Sequence, residues 1–271
     1  MKLAFVVSAS PTRFEAVASG HDLEGTIRQT AALGFDGVEV AIRDPSLIDV
    51  ERIAVIATEL SLAVPAIGTG QAYLDEGLSL ASPDAAVRDR AAGRLLAQVK
   101  VARRLGALLI VGLIHGPVPP GTDREHALEW LLGGLGRVAR AARGDGVRIV
   151  IEPINRYESN WLNTVEEVMD LILRLGQDNV GVLPDTFHMN IEEADVPAAL
   201  RRAGARLWHM HVADSNRRAP GWGHLNIAEV VSVLTELGYR GCVSAEILPH
   251  PTVLDAARQT ITVMRSLIPR A

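Results

Sequence analysis

Four residues able to hold a metal ion, Glu152, Asp185, His211 and Glu246, stand at the ends of four successive apolar runs: RIVIEPI, VGVLPDT, LWHMHVAD and CVSAEIL. Three carboxylates and one imidazole form a mostly hard-oxygen set. Such a set suits Mn2+, Mg2+ or Co2+ with positions left open, whereas a structural zinc site would want cysteines. The chemistry within its reach is Lewis-acid catalysis on an oxygen-rich small molecule, with a carboxylate serving as general acid or base. Alone, each of the four reads as readily as a helix cap or a core ion pair. Their recurrence on consecutive runs is what groups them.

Further polar residues follow these at short offsets. Glu158 comes after Glu152 in EPINRYE, His188 after Asp185 in DTFHMN and Arg217 after His211 in HVADSNR. From there they can grip substrate oxygens beside the ion. The competing explanation makes Glu158 and Arg217 a loop salt bridge and packs His188 against Phe187. Gly68, in Gly68-Thr69-Gly70, is read as a point where backbone approaches a ligand, or else as a plain tight turn. The segment lacks the third glycine of a dinucleotide-binding turn and opens no immediate helix.

The elements that must position these residues follow from the spacing. The four candidates lie 33, 26 and 35 residues apart, and 271 residues over eight units gives about 34 per unit, the length of one strand and helix in a (β/α)8 barrel. β-branched apolar runs are expected as strands over 2–8, 37–42, 63–68, 107–113, 148–154, 180–185, 207–213 and 242–248. Stretches of helical period lie between them, near 24–33, 49–60, 84–105, 124–142, 164–175, 196–203, 226–237 and 253–267. Several are closed by Leu-Gly, as at Gly34, Gly106, Gly176 and Gly238. The expected architecture is α/β, a single (β/α)8 TIM barrel spanning 1–271 with its active site at the C-terminal face. The longest irregular stretches, 69–83, 114–123, 155–163 and 214–226, all follow strands and would lie on that face.

Composition narrows the function classes. With 27 Lys and Arg against 32 Asp and Glu, a net charge of −5 argues against a nucleic-acid surface. The single cysteine, Cys242, cannot form an internal disulfide and reads as buried packing in a reducing compartment. The opening MKLAFVVSAS is read as a first barrel strand rather than a signal peptide. The longest apolar segment elsewhere, 105–114, is too short to span a bilayer. A cytoplasmic enzyme with a small-molecule substrate, and neither membrane nor nucleic-acid partners, is expected.

The strings IEPINRYE, DTFHMNIEE, HVADSNR followed by PGWGH, and SAEILP resemble the sugar isomerase/epimerase family of xylose isomerase-like barrels. That family includes the ketose 3-epimerases acting on D-tagatose and D-psicose, and the likeness spans nearly the whole chain. It implies one divalent ion, Mn2+ first and Co2+ or Mg2+ otherwise, held by Glu152, Asp185, His211 and Glu246. It also implies substrate binding by Glu158, His188 and Arg217, and a homo-oligomer.

The first half, in GVEVAIRDPS, AIGTGQAYLDEGLSL and GLIHG, is more similar to 5-keto-L-gluconate epimerase, an enzyme of inositol catabolism. That similarity implies interconversion of 5-keto-L-gluconate and D-tagaturonate. Gly68 and His115, which lie in those segments, stand among the candidate substrate contacts. Arg43, directly after GVEVAI, becomes the candidate cation for the far carboxylate; the alternative is a surface pair with Asp44 or Glu39. Where neutral-ketose enzymes tend to carry an aromatic after the last-strand glutamate, this chain has Ile247, Leu248 and Pro249. After Gly223-His224, Leu225-Asn226 replaces the more usual aromatic and acid.

Chemistry alone asks for two bases, because inverting a carbon beside a ketone removes a proton from one face and returns one to the other. Glu152 and Glu246 are the candidates, flanking an enediolate. Alternatives are a 3-epimerase of neutral D-tagatose, D-psicose or D-fructose, an aldose–ketose or hydroxypyruvate isomerase, an apurinic endonuclease and a sugar-binding barrel without turnover. The endonuclease would need more His and acid ligands at the second to fourth strand ends. Those strands end instead at Ile42-Arg43, Gly68-Thr69 and Ile114-His115.

Overall fold

The computed structural model describes residues 1–18 and 22–268. Its first half runs β1 (Lys2–Ser8), α1 (Leu23–Leu33), β2 (Gly37–Ala41), α2 (Val50–Glu59), β3 (Ala66–Gly68), α3 (Gln71–Glu76), α4 (Ala85–Leu105), β4 (Leu108–Val111) and α5 (Arg124–Gly144). The second half runs β5 (Ile149–Ile151), α6 (Val165–Leu175), β6 (Val180–Val182), α7 (Thr186–Glu192) and α8 (Val196–Ala203). It ends with β7 (Met210–Val212), α9 (Ile227–Glu236), β8 (Cys242–Ala245) and α10 (Val253–Leu267).

The strands form one parallel sheet in the order β6-β5-β4-β3-β2-β1-β8-β7. Bridges from Val182 to Leu207 and from Asp185 to His211 join its two ends. The Trp208 amide donates to the Val182 carbonyl at 3.2 Å and the His211 amide to the Pro184 carbonyl at 3.0 Å. The sheet therefore closes on itself, as the eightfold alternation requires. Both faces are covered, which is why the strands read as continuous apolar runs. Within β2 all five residues are buried, Glu39 among them.

Several strands are shorter than their apolar runs. β5 and β6 stop at Ile151 and Val182 rather than at 154 and 185. Pro153 and Pro184 have no N–H to continue a ladder, and the chain there turns toward the barrel mouth. Aspartates begin most of the large helices, Asp22, Asp49, Asp84, Asp123 and Asp195 each accepting from a first-turn amide. Gly34, Gly106 and Gly176 close α1, α4 and α6 in the left-handed conformation, as their Leu-Gly signals predict.

Two short helices depart from the expected loops. α3 lies inside 69–83 and α7 directly after Asp185. Each is too short to show a helical hydrophobic period. Burial pushes the Cys242 thiol up to about 12, consistent with a packing role. Among the described residues no helix is long and apolar enough to cross a membrane.

Candidate metal centre and active site

Each member of the four-residue set leaves the barrel at a strand end or within it. Glu152 immediately follows β5, Glu246 immediately follows β8, and His211 is the middle residue of β7. Asp185 caps α7, one oxygen accepting from the Phe187 amide at 2.7 Å. One donor atom from each of the four lies within 4.8 Å of the others. His211 Nδ1 stands 3.2 Å from Glu152 Oε1, 3.9 Å from Glu246 Oε1 and 4.0 Å from Asp185 Oδ2.

These residues fit a divalent ion. Ligand atoms about 2.0–2.2 Å from one shared centre stand roughly 3–4 Å from each other. Asp185 Oδ2 is buried with no hydrogen-bond partner, an arrangement that costs free energy unless something cationic meets it.

The electrostatics point the same way. Burial pushes the Glu246 carboxyl up to about 8 and the Asp185 carboxyl up to about 6, with Glu152 raising both and His211 opposing. Burial disfavours the His211 imidazolium, yet the Glu39 and Glu246 carboxylates hold its pKa well above the ordinary histidine value. A proton on His211 thus balances the acids where an ion would otherwise do so, and ion binding must expel it.

The second tier converges on the same centre. Arg217, in the left-handed conformation at φ 60, donates to Glu158 Oε1 at 2.9 Å and Glu246 Oε2 at 3.2 Å. Its guanidinium carbon lies 4.9 Å from the Phe187 ring centre and 5.2 Å from that of Phe14, which fixes its plane. The Asn155 side-chain amide donates to Glu158 Oε1 at 2.8 Å and contacts His188 Nδ1 at 2.7 Å. Burial, reinforced by the Arg217 and His211 charges, holds the His188 pKa far below the ordinary value, so the ring is neutral. With Nδ1 accepting from Asn155, Nε2 carries the proton. The salt bridge and the shared cavity coexist, and His188 also packs on Phe187, their ring centres 5.5 Å apart.

Glu152, Glu246, His211, Glu158, His188 and Arg217 all line one narrow cavity with Gly68, and it offers about 30 Å³ to the centre of a water molecule. Three candidates are absent from that lining: Asp185, which belongs to the donor cluster, and Arg43 and His115. Arg43 pairs through Nε with Glu76 at 3.5 Å, in a cluster where Glu76 also meets Arg94 at 2.8 Å. Its ion-pair partner is Glu76 of α3 rather than Asp44 or Glu39, and it does not line the cavity. His115 is buried beneath the β4 loop, Nδ1 against the Gly116 carbonyl at 2.8 Å, its ring edge-on to Trp161 and its pKa lowered to about 4 by burial.

Residues that the strand-end pattern did not single out also belong to the site. Phe14, Thr69 and Gln71 line the cavity, and Asn155 orients His188 and Glu158. Glu39 lies beneath the four donors, accepting at 2.9 Å from His211 and at 2.7 Å from His209. Two signals were present: Glu39 is the lone acid within an apolar strand run, and His209 precedes His211 by two residues, the period that puts both on one strand face. A larger cavity, about 880 Å³, lies at the opposite end of the barrel among strand starts such as Lys2, Pro65, Leu108 and Cys242. It contains none of the four donors.

Comparison with known proteins identifies relatives over most of the chain. The chain is 33% identical over 269 residues to L-ribulose 3-epimerase of Mesorhizobium japonicum, covering 97% of this chain and 86% of that protein. It is 34% identical over 229 residues to D-psicose 3-epimerase of Agrobacterium fabrum, covering 81% of this chain and 77% of that protein. A solved structure of L-ribulose 3-epimerase superposes with a TM-score of 0.84 at 27% identity, covering 97% of this chain and 94% of that one. The sequence model of the xylose isomerase-like TIM barrel family matches residues 27–267, and the chain belongs to that family.

Proposed function

We propose that this chain is a divalent-metal-dependent ketose 3-epimerase acting on neutral sugars, with Mn2+ as its ion and Co2+ as an effective substitute. One observation carries the reading: Glu152 and Glu246 belong to a single four-donor cluster and line the same cavity as His188 and Arg217. The ion, when bound, supplies Lewis acidity and a template for two neighbouring substrate oxygens.

The chain's own residues do the rest. Glu152 and Glu246 come from opposite flanks of the cavity, so one carboxylate can take the proton from carbon while the other returns one to the far face. His188 Nε2–H is the donor for the keto oxygen. The neutral ring suits that role, because it donates a hydrogen bond without giving up a proton to bulk water. Arg217 holds the adjacent oxygen, its plane fixed between Phe14 and Phe187. Phe14, Leu113 and Ile154 supply apolar walls that exclude competing water.

Charge favours a neutral ketose over a keto-uronate. Among the described residues Arg217 is the only Lys or Arg lining the cavity, and Glu158 and Glu246 already engage it. Glu39, Glu152, Glu158 and Glu246 would repel a further carboxylate, and Arg43 is paired outside. The two relatives named as 3-epimerases of L-ribulose and D-psicose support the same choice. The 5-keto-L-gluconate assignment rests on segments whose cationic candidate does not reach the site.

The test is a panel of ketoses and keto-uronates incubated with the Mn2+-loaded protein in D2O and followed by NMR. Inversion at C3 with solvent deuterium at that carbon is expected, with higher kcat/KM on neutral ketoses. Equal or better efficiency on 5-keto-L-gluconate would overturn the substrate class. Carbonyl migration without C3 inversion would make the protein an aldose–ketose isomerase.

A further inference from the structure

Beneath the four donors runs a second buried polar group that the proposed reaction does not use. Glu39 projects from β2 into the barrel, and its two oxygens meet two imidazoles, one within β7 and one directly before it: Oε1 faces His211 Nε2 at 2.9 Å and Oε2 faces His209 Nε2 at 2.7 Å. Ser244 Oγ of β8 lies 3.1 Å from the same His209 nitrogen. All four side chains are essentially inaccessible to solvent. Since β1 and β8 stand between β2 and β7 in the sheet, this contact crosses the barrel interior rather than joining neighbours.

Glu39, His209 and His211 could in principle hold an ion themselves. Here each imidazole Nε2 instead meets its own Glu39 oxygen at hydrogen-bonding distance, 2.9 Å for His211 and 2.7 Å for His209, and His211 turns its other nitrogen to the four-donor cluster. The group is therefore a hydrogen-bonded support.

Its effect on His211 is specific. With Nε2–H donated to Glu39, the lone pair of His211 lies on Nδ1, and Nδ1 is the atom that stands 3.2–4.0 Å from the carboxylates of Glu152, Glu246 and Asp185. The opposite tautomer would present a hydrogen to the ion. A carboxylate partner also makes the imidazole a stronger donor to a metal. Burying a charge at the centre of a barrel is expensive, and an apolar side chain would fill β2 at lower cost. That cost is intelligible if the acid holds a ligand in place.

We propose that Glu39 is a positioning residue for the metal centre: it fixes the tautomer and ring plane of His211, and His209 anchors its second oxygen. This inference rests on the metal-dependent reading above. Substitution should weaken the ion while leaving the metal-free fold intact.

The experiment titrates Mn2+ into chelator-stripped protein, read by electron paramagnetic resonance, for the wild type and for Glu39→Gln, Glu39→Asp and Glu39→Ala. The visible spectrum of the Co2+ form and the Tm of each metal-free variant are recorded alongside. Weaker Mn2+ binding by about 10- to 100-fold is expected for the Gln and Ala variants. The Co2+ spectrum should shift and Asp should recover part of the affinity, while a cooperative metal-free melt shows that each variant is folded. Glu39→Gln is close in shape to the native side chain and keeps the test open if the Ala variant does not fold. Unaltered Mn2+ affinity and an unaltered Co2+ spectrum in folded Glu39→Gln would overturn the inference and leave the proposed function standing. Failure of the wild type to bind Mn2+ at all would overturn both.

Discussion

Arg217 and Glu246 meet through one carboxylate oxygen only: the guanidinium donates to Oε2 at 3.2 Å, while Oε1 turns inward, 3.9 Å from His211 Nδ1. One oxygen of Glu246 is thereby assigned to the donor cluster and the other to the cavity. A residue that is both ligand and base must divide itself in this way. Glu152 does likewise, its Oε1 toward His211 and its Oε2 toward Gly112.

Replacing either glutamate with glutamine tests that division. A side-chain amide can still offer an oxygen to the ion but cannot carry a proton to and from carbon. Glu152→Gln and Glu246→Gln should each lower kcat by roughly 10²–10⁴-fold with a much smaller change in KM. Mn2+ should remain bound, and solvent deuterium exchange at C3 should fall in step with kcat. A variant that kept near-native turnover would remove that glutamate from the chemistry.

Metal binding should depend on pH in a defined direction. Burial raises Glu246 from an ordinary 4.5 to about 8 and Asp185 from 3.8 to about 6, so the folded metal-free protein holds these protons more tightly than the unfolded chain. The stability they contribute is full below about pH 4 and declines as pH rises toward 8. An ion that displaces the protons reverses the loss. The Tm increase on adding Mn2+ should therefore grow between pH 5 and 8, and calorimetry in buffers of different ionisation enthalpy should register proton release. A Tm increment independent of pH would count against ion binding at these carboxylates. Activity lost to a chelator should return with Mn2+ or Co2+ better than with Zn2+.

The barrel was legible because its signals are long-range and repetitive. Eight apolar runs, Leu-Gly helix ends and ligand-type residues, three acids and one histidine, on four consecutive strands all carry the same repeat. The three second-tier residues were legible because they lie on the same loops as the ligands. What sequence could not show depends on direction rather than position. Arg43 follows its strand just as the ligands follow theirs, yet its side chain pairs with Glu76 and does not line the cavity. His115 likewise sits at a strand end and points into packing against Trp161. Glu39 was hidden for the opposite reason: it lies in mid-strand, and only barrel closure brings β2 and β7 to face one another across the interior.

Gly112 offers a test of how closely Glu152 must be held. A Cβ at this position would stand 2.7 Å from Glu152 Oε2 and 3.7 Å from Ile154 Cδ1. The close atom is the end of a flexible side chain, so the fold can accommodate Gly112→Ala by moving the carboxylate. That movement is what the chemistry should not tolerate. A displacement of about 1 Å can cost on the order of 10²-fold in rate. Gly112→Ala should keep its Tm while losing kcat and weakening Mn2+. Native kinetics in this variant would show that Glu152 has slack in its position.

The question of substrate charge turns on Arg43. If a keto-uronate were the substrate, its carboxylate would need a cation in the cavity, and removing that cation would selectively damage turnover of the uronate. The Arg43 guanidinium is instead partly exposed and paired with Glu76, which Arg94 also holds at 2.8 Å. Exposed pairs of this kind contribute about 0–1 kcal/mol, and Arg94 keeps Glu76 partnered when Arg43 is removed. Arg43→Ala should therefore leave stability nearly unchanged and leave kcat/KM on D-tagatose, D-psicose and D-fructose within about threefold of wild type, a change of roughly 0.6 kcal/mol. The ratio of neutral-ketose to keto-uronate efficiency should not move. A loss of about tenfold or more confined to the uronate, equivalent to about 1.4 kcal/mol in the transition state, would show that Arg43 swings into the cavity with substrate bound and would restore the keto-uronate assignment.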